Sequence, residues 1–165
     1  MSIIYIGKVV KPHGVHGEIK VSSDFEYKSK YLIPNNKLII KLNGISTTYK
    51  IINYNYKTGK KYDICKLDGI NTMNDAYNIR GASIYISKED NNIKEIINSE
   101  LISMDVLLDN KIIGYVDDIT PLPNILLIIK NDNNTYYIPK QDVYIKSISL
   151  EDNQIILNDK AKELL

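Results

Sequence analysis

Both histidines of the chain lie in one short segment near its start, GKVVKPHGVHGEIKV. His13, His16 and Glu18 are residue types that bind metal ions or transfer protons. Gly14 and Gly17 make a helix improbable here, so the spacing of the histidines does not place both rings on one face. A metal site would also need a third ligand, and Glu18 is the only nearby candidate. We therefore expect no metal, no cofactor and no catalytic residue in this segment.

The alternative to a chemical site is a shaped turn. In that interpretation the glycines take positive φ, and Pro12 restricts the backbone that leads into the turn. The tip of the turn exposes His and Lys side chains. Elsewhere the sequence has no Gly-rich loop leading from a strand into a helix, no Ser nucleophile elbow and no Cys/His pairing. These patterns predict a protein that is not an enzyme.

A second segment, YNYKTGKKY, mixes lysines and tyrosines around a predicted hairpin turn at Thr58-Gly59. Lysines contact phosphates, and exposed tyrosine rings stack on bases. The segment is therefore a candidate for RNA contact, and the alternative is a solvated hairpin tip. Its side chains are Lys57, Lys60 and Lys61, placed between Tyr54, Tyr56 and Tyr62.

The net charge of the chain is only +1, but its sign changes along the sequence. Residues 1–87 contain 13 basic and 6 acidic residues, a net charge of +7, whereas residues 88–165 contain 8 basic and 14 acidic residues, a net charge of −6. A basic half suits phosphate backbones, and an acidic half suits a basic protein or a solvated surface. The reversal indicates two regions with different partners.

The elements that position these side chains are short strands separated by turn residues. This pattern is typical of small barrels and sandwiches. One helix is predicted near Met73–Arg80, with Thr72 as its N-cap and Gly81 as a left-handed residue at its end. Six strands in the first half suffice to close a small barrel. They are expected near residues 3–10, 18–23, 37–42, 48–56, 62–67 and 82–86.

The polar segment SKEDNNIKEIINSE interrupts this pattern at the point where the charge changes sign. We therefore expect an all-β chain of two small β-barrels, with a barrel at 1–87, a linker at 88–99 and a second domain at 100–165. In the second domain, the apolar run ILLII predicts a central strand covered on both faces. The strands are expected near residues 104–108, 111–119, 125–130, 135–138 and 144–150, followed by a short strand at QIIL.

No run of apolar residues approaches the length of a membrane helix, and the start lacks the layout of a signal peptide. We therefore expect a soluble, cytoplasmic protein with no membrane partner, and we expect a monomer. The single cysteine, Cys65, alternates with Asp63 and Leu67 on one side of a predicted strand, which favours a buried structural thiol.

The whole chain resembles the ribosome maturation factor RimM family. The segment IGKVVKPHGVHGEIKV is similar to the opening motif of that family, and His13, Gly14, Gly17 and Glu18 match it residue by residue. The segment KLDGINTMNDAYNIRGASIYI resembles the second motif, a short helix followed by Arg-Gly and a closing strand. In the second half, ELISMDVLLDNKIIGYVDDI, NILLII and YYIPKQDVYIKSISL are similar to the PRC-barrel domain of the family.

The resemblance implies a non-catalytic chaperone of ribosome biogenesis and rRNA processing. Members bind rRNA and a basic ribosomal protein, the nineteenth of the small subunit in the usual numbering, in the head of the immature subunit. The candidate RNA contacts are Lys8, Lys11, His16, Lys20, Lys57, Lys60, Lys61 and Arg80. The candidate ribosomal-protein contacts are Ile96, Ile97, Leu101, Tyr115, Tyr136, Tyr137, Pro139 and Tyr144.

The chain departs from the family pattern at several positions. His16 replaces the Arg or Lys often found there, which weakens any phosphate contact at neutral pH. Ile96 and Ile97 replace a Tyr-Tyr pair and lose its hydroxyl groups and ring stacking. Ser103 stands where Gly is common. The main alternative function is a PRC-barrel adaptor that binds only protein and has no ribosomal role. An RNA-modifying enzyme is a third alternative, and the sequence shows neither a cofactor site nor a nucleophile for it.

Overall fold

The computed structural model describes residues 2–57 and 59–165, and it confirms the all-β prediction. The chain forms two compact units; the first ends at Glu95 and the second begins at Ile96. Each unit is built around one six-stranded sheet. The alternation of apolar and polar residues that predicts the strands is also what lets each sheet bury one face.

The sheet of the first unit closes into a barrel in the order β1-β2-β5-β4-β3-β6. All its strand pairs are antiparallel, and the inward-facing residues of each strand form the core, as in β5, where Asp63, Cys65 and Leu67 are buried. Cys65 is fully buried, which confirms the predicted structural thiol, and burial raises its pKa to about 12. The strands are β1 (Ile3–Pro12), β2 (Ile19–Ser22), β3 (Lys37–Leu42), β4 (Ile45–Asn55), β5 (Asp63–Leu67) and β6 (Ser83–Ser87).

Two short helices connect these strands. The sequence does not predict the first, α1 (Lys28–Tyr31), which has no side-chain cap. The second, α2 (Met73–Asn78), has the predicted start, because the Thr72 side chain accepts a hydrogen bond from the Asp75 amide and the Asp75 carboxylate accepts one from the Thr72 amide. Gly81 has a φ of 82°, as its predicted place after the helix requires.

The sheet of the second unit is a half-barrel, curled but open, with the strand order β10-β9-β8-β7-β12-β11. Its pairs are antiparallel except for β7 and β12, which are parallel. The run that was predicted as β9 alternates buried and half-buried residues, so it is fully covered on one face only. The strands are β7 (Asp105–Leu108), β8 (Lys111–Ile119), β9 (Leu126–Lys130), β10 (Thr135–Pro139), β11 (Ile145–Ser149) and β12 (Gln154–Leu157).

Two 3₁₀ helices flank this sheet, at Asn98–Leu101 and Asp159–Leu164. Leu101 from the first and Ala161 from the second are fully buried in the core of the unit. Ser103, which follows the first helix, has a φ of 72°, in the left-handed region that favours glycine. The backbone therefore explains why glycine suits this position better than serine.

The segment that the sequence predicts as a linker is partly packed against the first barrel. Asn91 is 7% exposed, accepts a hydrogen bond from the Lys37 amide at 2.8 Å and donates one to the Ser87 carbonyl at 2.9 Å. Ile93 is 5% exposed. Asn91 and Ile93 therefore hold this segment against the barrel, and the first unit extends to Glu95. The polar composition of the segment suggests a linker that packs on neither domain.

Glu95 itself is held by hydrogen bonds from the Lys30 ammonium and the Tyr31 hydroxyl. The contact with Lys30 is the largest of the causes that lower the pKa of Glu95 to about 2, and the contact with Tyr31 is the next. A carboxylate whose pKa is lowered in the folded state stabilises that state above its unfolded pKa and loses this contribution as it is protonated.

We therefore expect Glu95→Gln to destabilise the first unit at neutral pH, with a difference from the unmodified protein that shrinks as pH falls from about 4.5 to about 2. Chemical denaturation across this pH range measures the difference. Glu151→Gln, at an exposed position of the second unit, is the control. A destabilisation by Glu95→Gln that is the same at every pH would contradict the proposed role of the charge.

Candidate functional site

The turn between β1 and β2 is built as its glycines predict. The His13 amide donates a hydrogen bond to the Glu18 carbonyl at 2.8 Å and closes the turn. Gly14 and Gly17 have φ values of 73° and 89°. Both histidines are exposed, and among residues 2–57 and 59–165 no three His, Cys, Asp or Glu side chains are grouped as a metal ion would require. The segment is therefore a closed turn that exposes its two histidine side chains to solvent.

The base of this turn packs directly on the segment before α2. A Cβ atom on Gly17 would lie 2.1 Å from the carbonyl oxygen of Ile70, so only glycine fits here. The Lys66 ammonium donates a hydrogen bond to the same carbonyl and another, at 3.2 Å, to the Asn71 side chain. Hydrogen bonds from Asn71 and Thr72 in turn lower the pKa of Asp75. The turn and the start of α2 thus form one substructure.

The far end of α2 is joined to β1 as well. The Gly81 amide donates to the Val9 carbonyl at 2.8 Å, and the Val9 amide donates to the Ala82 carbonyl at 2.9 Å. Arg80 is exposed, and its guanidinium lies 4.6 Å from the centre of the exposed Tyr77 ring. This contact with the Tyr77 ring holds the guanidinium of Arg80, the only arginine of the sequence, in place at the surface.

Three lysines and a tyrosine form a basic cluster on the side of β2 and β5. The ammonium groups of Lys20 and Lys61 lie 6.0 Å and 5.2 Å from the centre of the Tyr62 ring. Lys11 pairs with Lys20 across β1 and β2. Such a ring, flanked by cations, can stack on a base while the lysines contact phosphates. We call Lys11, Lys20, Lys61 and Tyr62 the Tyr62 cluster.

The hairpin between β4 and β5 continues this basic surface. Lys57 and Lys60 are exposed, and the Lys60 amide donates to the Lys57 carbonyl at 3.1 Å. The predicted turn falls in part on Thr58, which lies outside the described residues, while Gly59 has a φ of 84°. Tyr56 is 44% exposed, so its ring is available for stacking.

Tyr54 is not available for stacking, which corrects the expectation for that residue. It is 8% exposed, and its hydroxyl donates a hydrogen bond of 2.5 Å to the buried carboxylate of Asp63. The Lys28 ammonium lies 2.7 Å from the same carboxylate oxygen and 5.9 Å from the centre of the Tyr56 ring. Burial, and then the contact with Asp63, raise the pKa of Tyr54 far above its usual range.

This buried network, Lys28, Tyr54 and Asp63, was missed from the sequence, although one signal could have found it. Asp63 occupies a position of β5 that alternates with the buried Cys65 and Leu67. An acid on the apolar face of a strand requires a partner, because an unpaired buried charge is strongly unfavourable. The pattern does not say that the partner comes from α1.

The other candidate RNA contacts, Lys8 and Lys11 on β1, are exposed, while Lys20 and Glu18 are half-buried. The structure thus brings Lys11, Lys20 and Lys61 together, and Lys8 lies three residues earlier on β1, where it pairs with Ser22 of β2 and with Ser83 of β6. His16 is exposed on the turn. The first unit as a whole has 15 basic and 9 acidic residues, a net charge of +6.

The candidate protein contacts of the second unit divide into buried and exposed residues. Ile97 and Leu101 are 1% and 0% exposed, and Ile96 packs against the core of the unit, so these three serve packing. The remaining buried or half-buried candidates are Tyr136, Pro139 and Tyr144. Tyr115 and Tyr137 are 45% and 56% exposed and are the available aromatic side chains of the set.

The surface around Tyr115 has an acidic border. Tyr115 pairs with Lys130 on β9, and Lys130 forms a 3.0 Å ion pair with Asp117. A shallow open pocket of about 410 Å³ adjoins these residues, and its lining includes Asp105, Asp132 and Tyr136. The unit has 11 acidic and 6 basic residues, a net charge of −5.

None of the helices in the described part of the chain has the length and apolar character that a membrane crossing requires.

Sequence comparisons with known proteins agree with the resemblance seen in the motifs. Ribosome maturation factor RimM of Ligilactobacillus salivarius is 29% identical over 95% of this chain and 96% of its own length. The protein of the same name from Prochlorococcus marinus is 28% identical over 93% and 90%. A crystal structure of a 16S ribosomal RNA processing protein RimM from Pseudomonas aeruginosa matches at 20% identity over 98% and 99% of the two chains, with a TM-score of 0.48.

The family model described as the RimM N-terminal domain matches residues 4–91, more than half of the chain. The matched range includes the turn of β1 and β2, α2 and all of the first barrel except Ile3. The predicted resemblance is therefore confirmed: this chain belongs to the RimM family.

Proposed function

We propose that this chain is a ribosome maturation factor that acts, without catalysis, as a cytoplasmic assembly chaperone of the small ribosomal subunit. Its relatives carry the name ribosome maturation factor RimM and match almost the full chain, which supports the role in ribosome maturation. The first unit binds rRNA in the head of the immature subunit. The second, PRC-barrel-like unit binds a basic ribosomal protein, the nineteenth of that subunit.

The observation that supports these two binding roles is the opposite net charge of the two compact units, +6 and −5. On the first, the Tyr62 cluster and the exposed Lys57 and Lys60 combine cations with an aromatic ring, the combination that binds single-stranded RNA. On the second, the exposed Tyr115 beside the carboxylate of Asp105, together with the exposed Tyr137, suits a basic protein surface. The immature subunit presents both kinds of partner.

The first test is sedimentation of a native cell extract through a sucrose gradient at low and moderate salt, with detection of this protein in each fraction. We expect it with free small subunits, absent from complete ribosomes, and released as salt rises, because phosphate contacts are salt-dependent. Protein that stays at the top of the gradient at low salt would contradict the proposal. Binding to a protein partner that resists both salt and nuclease would favour an adaptor without a ribosomal role.

The hairpin lysines provide a sharper prediction. Changing Lys57, Lys60 and Lys61 together to Glu is expected to weaken association with free small subunits about tenfold or more, and to flatten its salt dependence, because three phosphate contacts are replaced by repulsion. A pull-down of purified subunits at several salt concentrations measures this. The matched control changes three exposed lysines of the second unit, Lys111, Lys146 and Lys160, to Glu. An unchanged salt dependence would remove the hairpin from the RNA surface.

A further inference from the structure

The outer face of the first barrel carries an aromatic row that shares no residue with the Tyr62 cluster, and its Tyr85 lies in the segment that resembles the second family motif. Tyr5 of β1 pairs with Tyr85 of β6, and Tyr85 pairs with Ile39 of β3. The rings of the two tyrosines meet edge to face, with centroids 5.7 Å apart and planes at 76°. Tyr5 remains 52% exposed. The edge contact therefore fixes the ring of Tyr5 while leaving much of its surface open.

A row of cations lies beside the aromatic row on the same three strands. Lys8 of β1 pairs with Ser83 of β6, and Ser83 pairs with Lys41 of β3. Both lysines are exposed. Because neighbouring strands are about 4.8 Å apart, the backbones of Lys8 and Lys41 are separated by roughly 10 Å across the serine. Neither row contains an acidic residue.

A β-bulge puts the two rows on one face. The pairing of β1 with β6 shifts between Tyr5 and Gly7, so that Ile6 and Gly7 are both buried. Strict alternation from Tyr5 would point Lys8 into the barrel, and the extra residue turns it outward instead. Gly7 is required at the bulge, because a Cβ atom there would lie 2.3 Å from the Ser22 carbonyl oxygen.

We propose that this face binds a second segment of single-stranded RNA, with a base stacked on the Tyr5 ring and the phosphates on either side contacting Lys8 and Lys41. On such a sheet face, unpaired bases stack on the outward aromatic rings of adjacent strands. The neighbouring cations neutralise the phosphates of the RNA backbone. The positive charge of the barrel favours RNA over a basic protein as the occupant. The inference deepens the proposed function and rests on it for the RNA partner.

The test measures binding of the full chain to a fluorescein-labelled oligouridine of about 12 nucleotides by fluorescence anisotropy. Tyr5→Leu keeps an apolar side chain and loses the ring, and is expected to weaken binding about tenfold, whereas Tyr5→Phe keeps the ring and should bind as the unmodified protein does. Lys41→Gln should reduce the slope of log K against log salt by about 0.7. Lys111→Gln, an exposed lysine of the second unit, is the matched control.

The outcomes separate this inference from the proposed function. If Tyr5→Leu and Lys41→Gln both bind like the unmodified protein while the triple hairpin variant is weakened, the inference is overturned and the proposed function stands. If Tyr5→Phe weakens binding as much as Tyr5→Leu, stacking is excluded and the inference is again overturned. If the unmodified chain neither binds the RNA nor sediments with small subunits, the proposed function fails as well. Circular dichroism of each variant verifies the fold.

Discussion

Replacing Gly17 with alanine is expected to destabilise the first unit by about 3–4 kcal/mol. Two costs combine. The new Cβ atom would lie 2.1 Å from the Ile70 carbonyl oxygen, and this backbone atom is also held by Lys66. In addition, alanine is strained at a φ of 89°. The measurement is the free energy of unfolding of the first unit in urea.

Gly14 of the same turn provides a matched control. Its φ is 73°, but nothing lies within 4 Å of the position that a Cβ atom would take. Gly14→Ala therefore has only the backbone cost, about 1 kcal/mol. If the two alanine variants were equally destabilised, the packing of the turn on Ile70 would not be the reason for the glycine.

Removing the carboxylate of Asp63 is the second large effect. Asp63→Ala leaves the buried Tyr54 hydroxyl and the Lys28 ammonium without their shared acceptor, since both contact the same oxygen of Asp63. Breaking a buried pair by removing one partner is strongly unfavourable, and the 19% exposure of the Lys28 side chain moderates the loss. We expect a destabilisation of about 2–4 kcal/mol in urea denaturation.

Three variants test this explanation. Tyr54→Phe removes one hydrogen bond but leaves the ion pair of Lys28 and Asp63, so it should cost about 1–1.5 kcal/mol. Asp68→Ala, at an exposed position that follows the same strand, should have little effect. The double variant Tyr54→Phe with Asp63→Ala should cost less than the two single costs together. Additive costs would mean that Tyr54 and Asp63 do not act as one network.

The network also bears on the proposed RNA surface. Lys28 lies between the Asp63 carboxylate and the Tyr56 ring, so the buried acid helps to place a cation beside an exposed aromatic side chain. Asp63→Asn retains the shape of the side chain and removes its charge. This variant therefore keeps an acceptor for the Tyr54 hydroxyl but removes the ion pair that holds Lys28.

The sequence by itself determined most of the secondary structure. Alternating apolar residues predict all twelve strands, because a strand with one buried face must alternate. Thr72 predicts the start of α2 through its cap, and Gly81 has the predicted left-handed backbone, but the helix ends at Asn78, two residues before the predicted Arg80. The same local logic predicts the burial of Cys65 and the positive φ of Gly14 and Gly17.

The candidate sites were only partly predictable, because their side chains meet through contacts between residues far apart in the chain. Nothing near Tyr54 or Ile97 in the sequence distinguishes them from the exposed Tyr56 and the half-buried Ile96, yet the fold buries both. The sequence shows that lysines and tyrosines are mixed in residues 54–62, but it does not show which of them meet. Their grouping around Tyr62 depends on which strands pair.

Local chemistry therefore determined the strands, the capped helix and the change of charge between the two halves. The tertiary structure decided which polar groups meet and which face each side chain occupies. The pairing of β1 with β6 introduces the bulge that turns Lys8 outward beside Tyr5, and barrel closure brings Gly17 against Ile70 and Lys28 against Asp63. These contacts depend on strand register, which is fixed by packing across the whole sheet and not by neighbours in the chain.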